Sequence, residues 1–542
     1  MSGVRFRCLF GLCGVFAMGA VRNVLFIMTD QQRWDYLGAS GHPTLETPAL
    51  DALAAKGVLF RHSYCQSPIC GASRMCTYTG RYMTTHGAHW NNIPLSVAEH
   101  TIGDFLRPLG VRTALVGKTH MAADAEGMAR LGIERNSELG VLISQCGFEP
   151  YERDDGLHPH PSVDPNLRYN RWLNEQGYPG DNPWNDYANS AEGPNGEVLS
   201  GWSMRHSPLP SRVAAEHSET AYMTKRAFDF IDEAGEDPWC LHLSYIKPHW
   251  PYIAPAPYHD MYSANQILPA NKRQAERDNP HPVHGAFMEH VDSATFARDE
   301  VRQAVIPAYM GLIREIDDWL GQLFQFLDER GRMDDTMIVF TSDHGDYLGD
   351  HWLGEKELLH DESVRVPLII YDPDERADAT RGSVDDRLTE SIDLASTFVD
   401  VLGGTDDGQR LEGRSLLPLL RDGGDVKEWR ETIVSETDFA MRDAAKWLGL
   451  NPVDARGYMI ASAEWKYIFW EKKPPQLFDR INDSKEQNDL AGQGLAAEAD
   501  LHQCLFAHFR ARRTRTTISD KALGARSGRA GAVKRGFIIG EW

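Results

Sequence analysis

The sequence predicts an open, mostly parallel α/β sheet flanked by helices, followed by a smaller C-terminal α+β domain. Three observations carry that prediction. Short apolar runs end in polar clusters at "NVLFIMTD", "VRTALVGKTH", "PWCLHLSYIKPH" and "DTMIVFTSDHGD", the pattern of strands buried on both faces. Helical patterns alternate with these runs. Near the C-terminus, "RGYMIASAEWKYIFWEKKPPQLFD" changes to the alternation and turns of antiparallel strands.

Residues 1–20 place Arg5 and Arg7 ahead of an apolar run, which is the grammar of a signal peptide. Met18 is equally a candidate start. The first case implies a periplasmic protein and the second, toward which this reading leans, a cytoplasmic one. Next, "TPALDALAAKG" reads as a helix closed by Gly57, and "IPAYMGLIREIDDWLGQLFQFLDERG" as an amphipathic helix ending at Gly331. Residues 21–425 form the expected catalytic unit. Within it, residues 150–215 are rich in Pro, Asn, Asp and Gly and are expected to make a long loop or lid. Residues 426–509 form the second domain. From Arg510 to Trp542 there are nine Lys or Arg against two Asp or Glu, a basic tail that reads equally as an arm docking on another subunit or as a frayed terminus. A homo-oligomer, dimer or tetramer, follows as an expectation.

The 542 residues are 42% hydrophobic with 14 Trp, so the chain is globular and not disordered. A formal charge of -22 excludes nucleic acid as a general partner, because phosphate backbones attract basic surfaces. Eight Cys in such a length do not make a disulfide scaffold.

In open α/β sheets, ligands bind beyond the carboxyl ends of the strands, where all four polar clusters fall. Asp30 and Gln31 follow one strand, and Asp343 and His344 another. Two carboxylates, an amide oxygen and an imidazole suit one divalent cation, Mn or Ca, less readily Zn. Arg74, Lys118, His120, Lys247, His249 and Lys356 lie in the same or adjoining loops. Each alone reads as a solvated surface cation. Gathered at one edge of an acidic protein, they suit an anion with several oxygens, such as sulfate or phosphate.

Cys70 lies in "QSPICGASRMCTYTGRY", where a helix opens just after it and stops at Gly80. Free N–H groups and the dipole at such a position lower a thiol pKa. A disulfide with Cys65 or Cys76, a buried thiol, a metal ligand and a reacting group all stay open here. A thiolate is too soft a match for a metal held by Asp and Gln oxygens, which a hard oxygen nucleophile would suit far better. Cys8, Cys13, Cys146, Cys240 and Cys504 show no motif.

"CGASR" followed by "TGRY", with a strand-end Asp upstream, resembles the type I sulfatases of the alkaline phosphatase superfamily. Ala72 stands at the family's Pro position, and the likeness runs over nearly the whole chain, implying an alkaline phosphatase-like fold. The resemblance implies that a formylglycine-generating enzyme oxidises Cys70 to formylglycine, whose hydrated gem-diol attacks sulfur or phosphorus. Asp30, Gln31, Asp343, His344 and the modified Cys70 then resemble the metal ligands. Arg74 and Lys118 would hold the diol, and His120 would act as base in its collapse. His249 and Lys356 would contact substrate oxygens and the leaving group, with Asn91 as a further substrate contact; Lys247 reads equally as a substrate contact or as a structural residue of its turn. The pairs Asp30-Gln31 and Asp343-His344 resemble phosphonate monoester hydrolases and choline sulfatases, whereas "GKTH" keeps the Lys and His of true sulfatases. The implied activity is hydrolysis of small-molecule sulfate esters, with promiscuity toward phosphonate monoesters and phosphodiesters. Two alternatives stand beside it: phosphonate or phosphodiester hydrolysis as the main activity, and a non-catalytic anion-binding relative in which Cys70 stays a thiol.

Overall fold

The computed structural model describes residues 21–406, 409–421 and 426–526. The expectations for residues 1–20, and for the tail beyond residue 526, fall outside the described residues.

A nine-stranded sheet organises the main body. Its strands are β1 (Asn23–Asp30), β2 (Val58–Tyr64), β3 (Arg112–Gly117), β4 (Glu149–Arg153), β5 (Trp239–Pro248), β6 (Thr336–Ser342), β7 (Arg365–Val366), β8 (Leu368–Tyr371) and β9 (Ser383–Glu390). The order is β9-β2-β8-β6-β1-β5-β3-β4, with β7 pairing β2 at the side. β1 is central and runs parallel to both neighbours, Ile27 facing Leu243 on one side and Phe340 on the other. β3 is parallel to β5 and to β4, while β8 is antiparallel to β6 and to β2. The carboxyl ends of β1, β3, β5 and β6 therefore lie along one edge.

All eight residues of β1 are buried, as a parallel strand covered on both faces requires. Alternate side chains serve alternate layers. Leu25, Ile27, Leu241, Leu243, Ile338 and Phe340 pack in one cluster with Phe230, Ile316, Leu320 and Leu323 of the covering helices. Phe26, Met28, Leu115 and Val339 pack on the other face with Met75, Tyr78 and Phe398. At ~1.5–3 kcal/mol per buried large side chain, these two layers fix the sheet edge that the loops inherit.

The helices that matter here are α1 (Pro48–Lys56), α2 (Cys70–Thr79), α3 (Glu219–Ala234), α4 (Asp299–Glu329) and α5 (Asp393–Val401). α1 opens with Pro48 and ends at Gly57, and α2 ends at Gly80, whose φ of 64° suits a residue without Cβ. The long amphipathic helix begins at Asp299, earlier than the expected start at Ile306, and runs through Pro307. Asp299 and Glu300 in its first turn favour that start through the helix dipole.

The segment 150–215 is more ordered than the expected loop. It carries a helix, Arg168–Glu175, a hairpin of Ser190–Glu192 with Val198–Ser200, and the fully buried Trp184. The indole N–H of Trp184 donates to Glu219 Oε1 of α3 at 2.6 Å, tying the segment to the body. A second, antiparallel sheet comprises β10 (Ile433–Asp438), β11 (Arg456–Ala461), β12 (Trp465–Trp470) and β13 (Gln476–Asp479). Helix α6 (Ala496–Arg510) packs on β11 and β12. Among the described residues no helix is long and apolar enough to cross a membrane.

Candidate active site

β1 delivers Asp30 at its last residue, and β6 delivers Asp343 and His344 just past its end. Cys70 opens α2, across from both. One ligand atom from each of Asp30, Cys70, Asp343 and His344 lies within 4.8 Å of the others, and all four residues are buried. His344 Nδ1 bonds the Gly345 carbonyl at 2.8 Å, so its Nε2 faces inward, 3.0 Å from Cys70 Sγ. Gly345 is required there, because a Cβ would meet the Glu362 carbonyl oxygen at 2.0 Å. Two carboxylates and an inward imidazole nitrogen fit a divalent cation. Gln31 borders the group: its amide oxygen accepts from Lys356 Nζ at 2.6 Å, and its amide nitrogen donates to Asp346 Oδ2 at 2.6 Å.

Lys118 follows β3, with Nζ 2.5 Å from Asp30 Oδ2. Gly117 before it has φ 111°, and a Cβ would meet the Ser244 carbonyl oxygen at 1.9 Å, so only Gly brings β3 this close to β5. His120 adopts φ 54°, held by its backbone N–H on Asp155 Oδ1 at 2.9 Å. His249 donates from Nδ1 to the Trp250 carbonyl at 2.8 Å, leaving Nε2 3.4 Å from Lys356 Nζ. His120, His249 and Lys356 all act on the Cys70 sulfur.

Burial by itself would push the Cys70 thiol up. Lys356, His344 and Lys118 outweigh it and hold the thiol well below its ordinary range. Burial would likewise lower His344, but Asp343 and the Cys70 sulfur push it up to about 9. For His249 burial wins, with Lys356 adding to it, and the imidazole falls to about 4. It is neutral at neutral pH.

Three of the expected residues have their partners outside the sulfur's immediate surroundings. Lys247 does not join the cluster: its Nζ donates to Asn189 Oδ1 and the Pro251 carbonyl, each at 2.9 Å, and it faces Glu219 and Glu315. β5 ends at Pro248, so His249 has left the strand that holds Lys247, and of the two only His249 reaches the sulfur. Asn91 sits beside Cys70, but its Oδ1 accepts from the Gly71 N–H at 2.8 Å and so caps the first turn of α2. Arg74 lies behind the carboxylates. It donates to Asp343 Oδ2 at 2.9 Å, Asp30 Oδ2 at 3.3 Å, Ser244 Oγ at 2.7 Å and the Lys118 carbonyl at 2.9 Å. Its contacts frame the two Asp side chains. Sequence reasoning missed Asp346, which orients Gln31, and Asp155, which holds the 119–120 backbone. "DHGD" and "RDDG" contained them, but only long-range contacts single them out. Cys65, Cys70 and Cys76 are all free thiols.

The profile of the sulfatase family matches residues 22–404, and that of the N-sulphoglucosamine sulphohydrolase C-terminal region matches residues 349–511. The chain belongs to the sulfatase family. That membership places it among the sulfuric ester hydrolases and their relatives. The "Multifunctional alkaline phosphatase superfamily protein PehA" of Trinickia caryophylli is 34% identical over 500 residues, covering 87% of this chain and 91% of PehA. An arylsulfatase of Clostridium perfringens is 26% identical, over 86% of this chain and 90% of its own. The solved phosphonate monoester hydrolase SpPMH of Silicibacter pomeroyi superposes with a TM-score of 0.79 at 28% identity, covering 92% of this chain and 96% of its own.

Proposed function

We propose that this protein hydrolyses sulfate monoesters in the manner of an arylsulfatase, and accepts phosphonate monoesters and phosphodiesters at the same site. One observation carries the reading: Cys70 Sγ opens a helix 3.0 Å from His344 Nε2, with Lys118, Lys356, His120 and His249 acting on it. The cations and imidazoles that lower the Cys70 thiol also suit a tetrahedral oxyanion of sulfur or phosphorus.

Matured to formylglycine, residue 70 would supply a hydrated aldehyde as the oxygen nucleophile. A divalent metal, Mn or Ca and less readily Zn, would supply Lewis-acid activation when held by Asp30, Gln31, Asp343, His344 and residue 70. The chain's own residues do the rest. Arg74 holds both carboxylates in place, and Lys118 neutralises charge beside the nucleophile. Neutral His249 keeps Lys356 oriented through its free Nε2, so that the ammonium faces the ester oxygens and protonates the departing one. His120, next to the sulfur position, serves as base when residue 70 returns to the aldehyde. A formylglycine-generating enzyme as maturation partner and a homo-oligomeric assembly belong to the same reading.

A second reading, phosphonate monoester hydrolysis as the main activity, is favoured by the likeness to SpPMH. Measuring kcat/KM for an aryl sulfate and the matching aryl phosphonate monoester separates the two. A phosphonate preference of orders of magnitude would overturn the sulfatase reading. The mass of the tryptic peptide "HSYCQSPICGASR" from native protein tests maturation: an intact thiol at Cys70 would favour a non-catalytic anion-binding protein.

A further inference from the structure

The segment 184–215 does more than cover the body, because it is docked on the turn that carries His249. Lys247 Nζ reaches Asn189 Oδ1, the Gly201 N–H donates to the Asn189 carbonyl at 3.0 Å, and the Ser211 N–H donates to the Ala254 carbonyl at 2.9 Å. A Cβ at Gly201 would meet the Asn189 carbonyl oxygen at 2.3 Å, so the chain passes there with no room to spare. The next residue, Trp202, meets Trp250 with ring centroids 5.4 Å apart and planes at 68°. Trp250 in turn lies on the His249 imidazole at 4.7 Å and 32°. Both indoles are half-buried, rooted on the hydrophobic core with part of each ring open.

Some partly exposed indoles elsewhere carry a cation, while among the described residues Trp90, Trp447 and Trp465 do not. Arg365 covers Trp34, Lys272 and Arg277 cover Trp352, and Arg414 and Arg430 flank Trp429. Among the described residues no cation stacks on Trp202 or Trp250. His249, with its Nε2 3.4 Å from Lys356 Nζ, stands beside the Cys70 sulfur; Trp250 lies against its ring, and Trp202 lies beyond Trp250. Two rings near a right angle offer one face and one edge, the arrangement in which a third flat ring packs best.

We propose that Trp202 and Trp250 form the specificity-determining wall for the organic half of the ester and select a flat aromatic group. This rests on the anion-site reading above. Lys247 acts as a positioning residue, joining the lid's Asn189 to the Trp250–Pro251 turn so that the two rings meet.

The test uses the full-length protein with Mn2+ and two sulfonates whose C–S bond cannot be hydrolysed, 2-naphthalenesulfonate and methanesulfonate. Binding is measured by calorimetry. The wild type is expected to bind the aromatic sulfonate about tenfold more tightly or better. W250A and W202A should each erase most of that preference while leaving methanesulfonate affinity unchanged, and W250F should restore most of it. K247M should weaken the preference less than W250A. If W250A does not fold, W202A and W250F carry the comparison. Equal wild-type affinity for the two sulfonates, or a preference that survives both Trp→Ala changes, overturns the wall and leaves the anion site standing. If neither sulfonate binds, the anion site itself falls and the wall with it.

Discussion

Two buried imidazoles, His344 and His351, sit seven residues apart in the chain and respond to their surroundings in the same direction. Burial opposes the charge on each. Asp343 and the Cys70 sulfur push His344 up to about 9, and Glu362 and Glu276 push His351 up to about 10. The difference lies in where the remaining bonds go. His351 Nδ1 is 2.6 Å from Glu276 Oε1 and its Nε2 is 3.4 Å from Glu362 Oε2, while its ring stacks on His360 at 4.2 Å. Glu362 accepts from Asn271, and Asn271 accepts from Gln487, so the cluster joins the body to the C-terminal region. His344 instead turns its free nitrogen toward a thiol. A shifted pKa marks a buried ion pair in both places; only a reactive group beside it marks chemistry.

Replacing the two clusters should separate activity from stability. The largest effect is expected at Cys70: C70A should lower turnover by about a thousandfold or more, with the fold retained. Steady-state rates on an aryl sulfate, together with circular dichroism, check both halves. Retained turnover in C70A would remove the contrast between the clusters.

Removing the metal should come next. Chelation should cost about a hundredfold or more in kcat/KM, recoverable with Mn2+ or Ca2+ in the wild type but not in D343N. Recovery of D343N to the wild-type level would exclude Asp343 as a ligand.

At His351 the order reverses. H351L should leave kcat of the folded enzyme nearly unchanged and cost about 3 kcal/mol of stability, because it orphans buried carboxylates. The sign of the pH dependence follows from a folded pKa near 10 and an unfolded value of about 6.5. The proton bound on folding stabilises fully below about pH 6.5 and progressively less as pH rises toward 10. The gap in melting temperature between wild type and H351L should therefore be wide at pH 6 and narrow at pH 10. A constant gap would show that lost packing, and not the ion pair, sets the cost.

The smallest effect is expected from N91A, which removes the acceptor for the Gly71 N–H. A loss of about 1 kcal/mol and a several-fold drop in kcat would fit a capping role at the helix that opens at Cys70. A rise in KM with kcat unchanged would return Asn91 to the substrate.

Strands, the edge they share and the residues at their ends were legible because each depends on local pattern. Eight buried residues ending in Asp read as β1, and a helix from Cys70 to a left-handed Gly80 reads from its own boundaries. Asp30, Cys70, Asp343, His344 and Lys118 followed, since a strand end in a parallel sheet determines where a side chain emerges. The partners of those side chains were not legible. Whether Lys247 faces the sulfur or Asn189 turns on where β5 ends, at Pro248, and on a segment some sixty residues away. Asn91 reads as a substrate contact and Arg74 as a holder of the diol, and their bonds to Gly71 and to the two carboxylates are visible only in the fold.

The sequence by itself determined the sheet, the helix that opens at Cys70 and the family of the chain, because periodicity and short motifs encode local geometry. Only the tertiary structure decided which cations face Cys70, which frame Asp30 and Asp343, and that Trp202 meets Trp250. Those outcomes depend on distances between segments far apart in the chain, and a hydrogen bond or a ring contact exists only once the fold has set them.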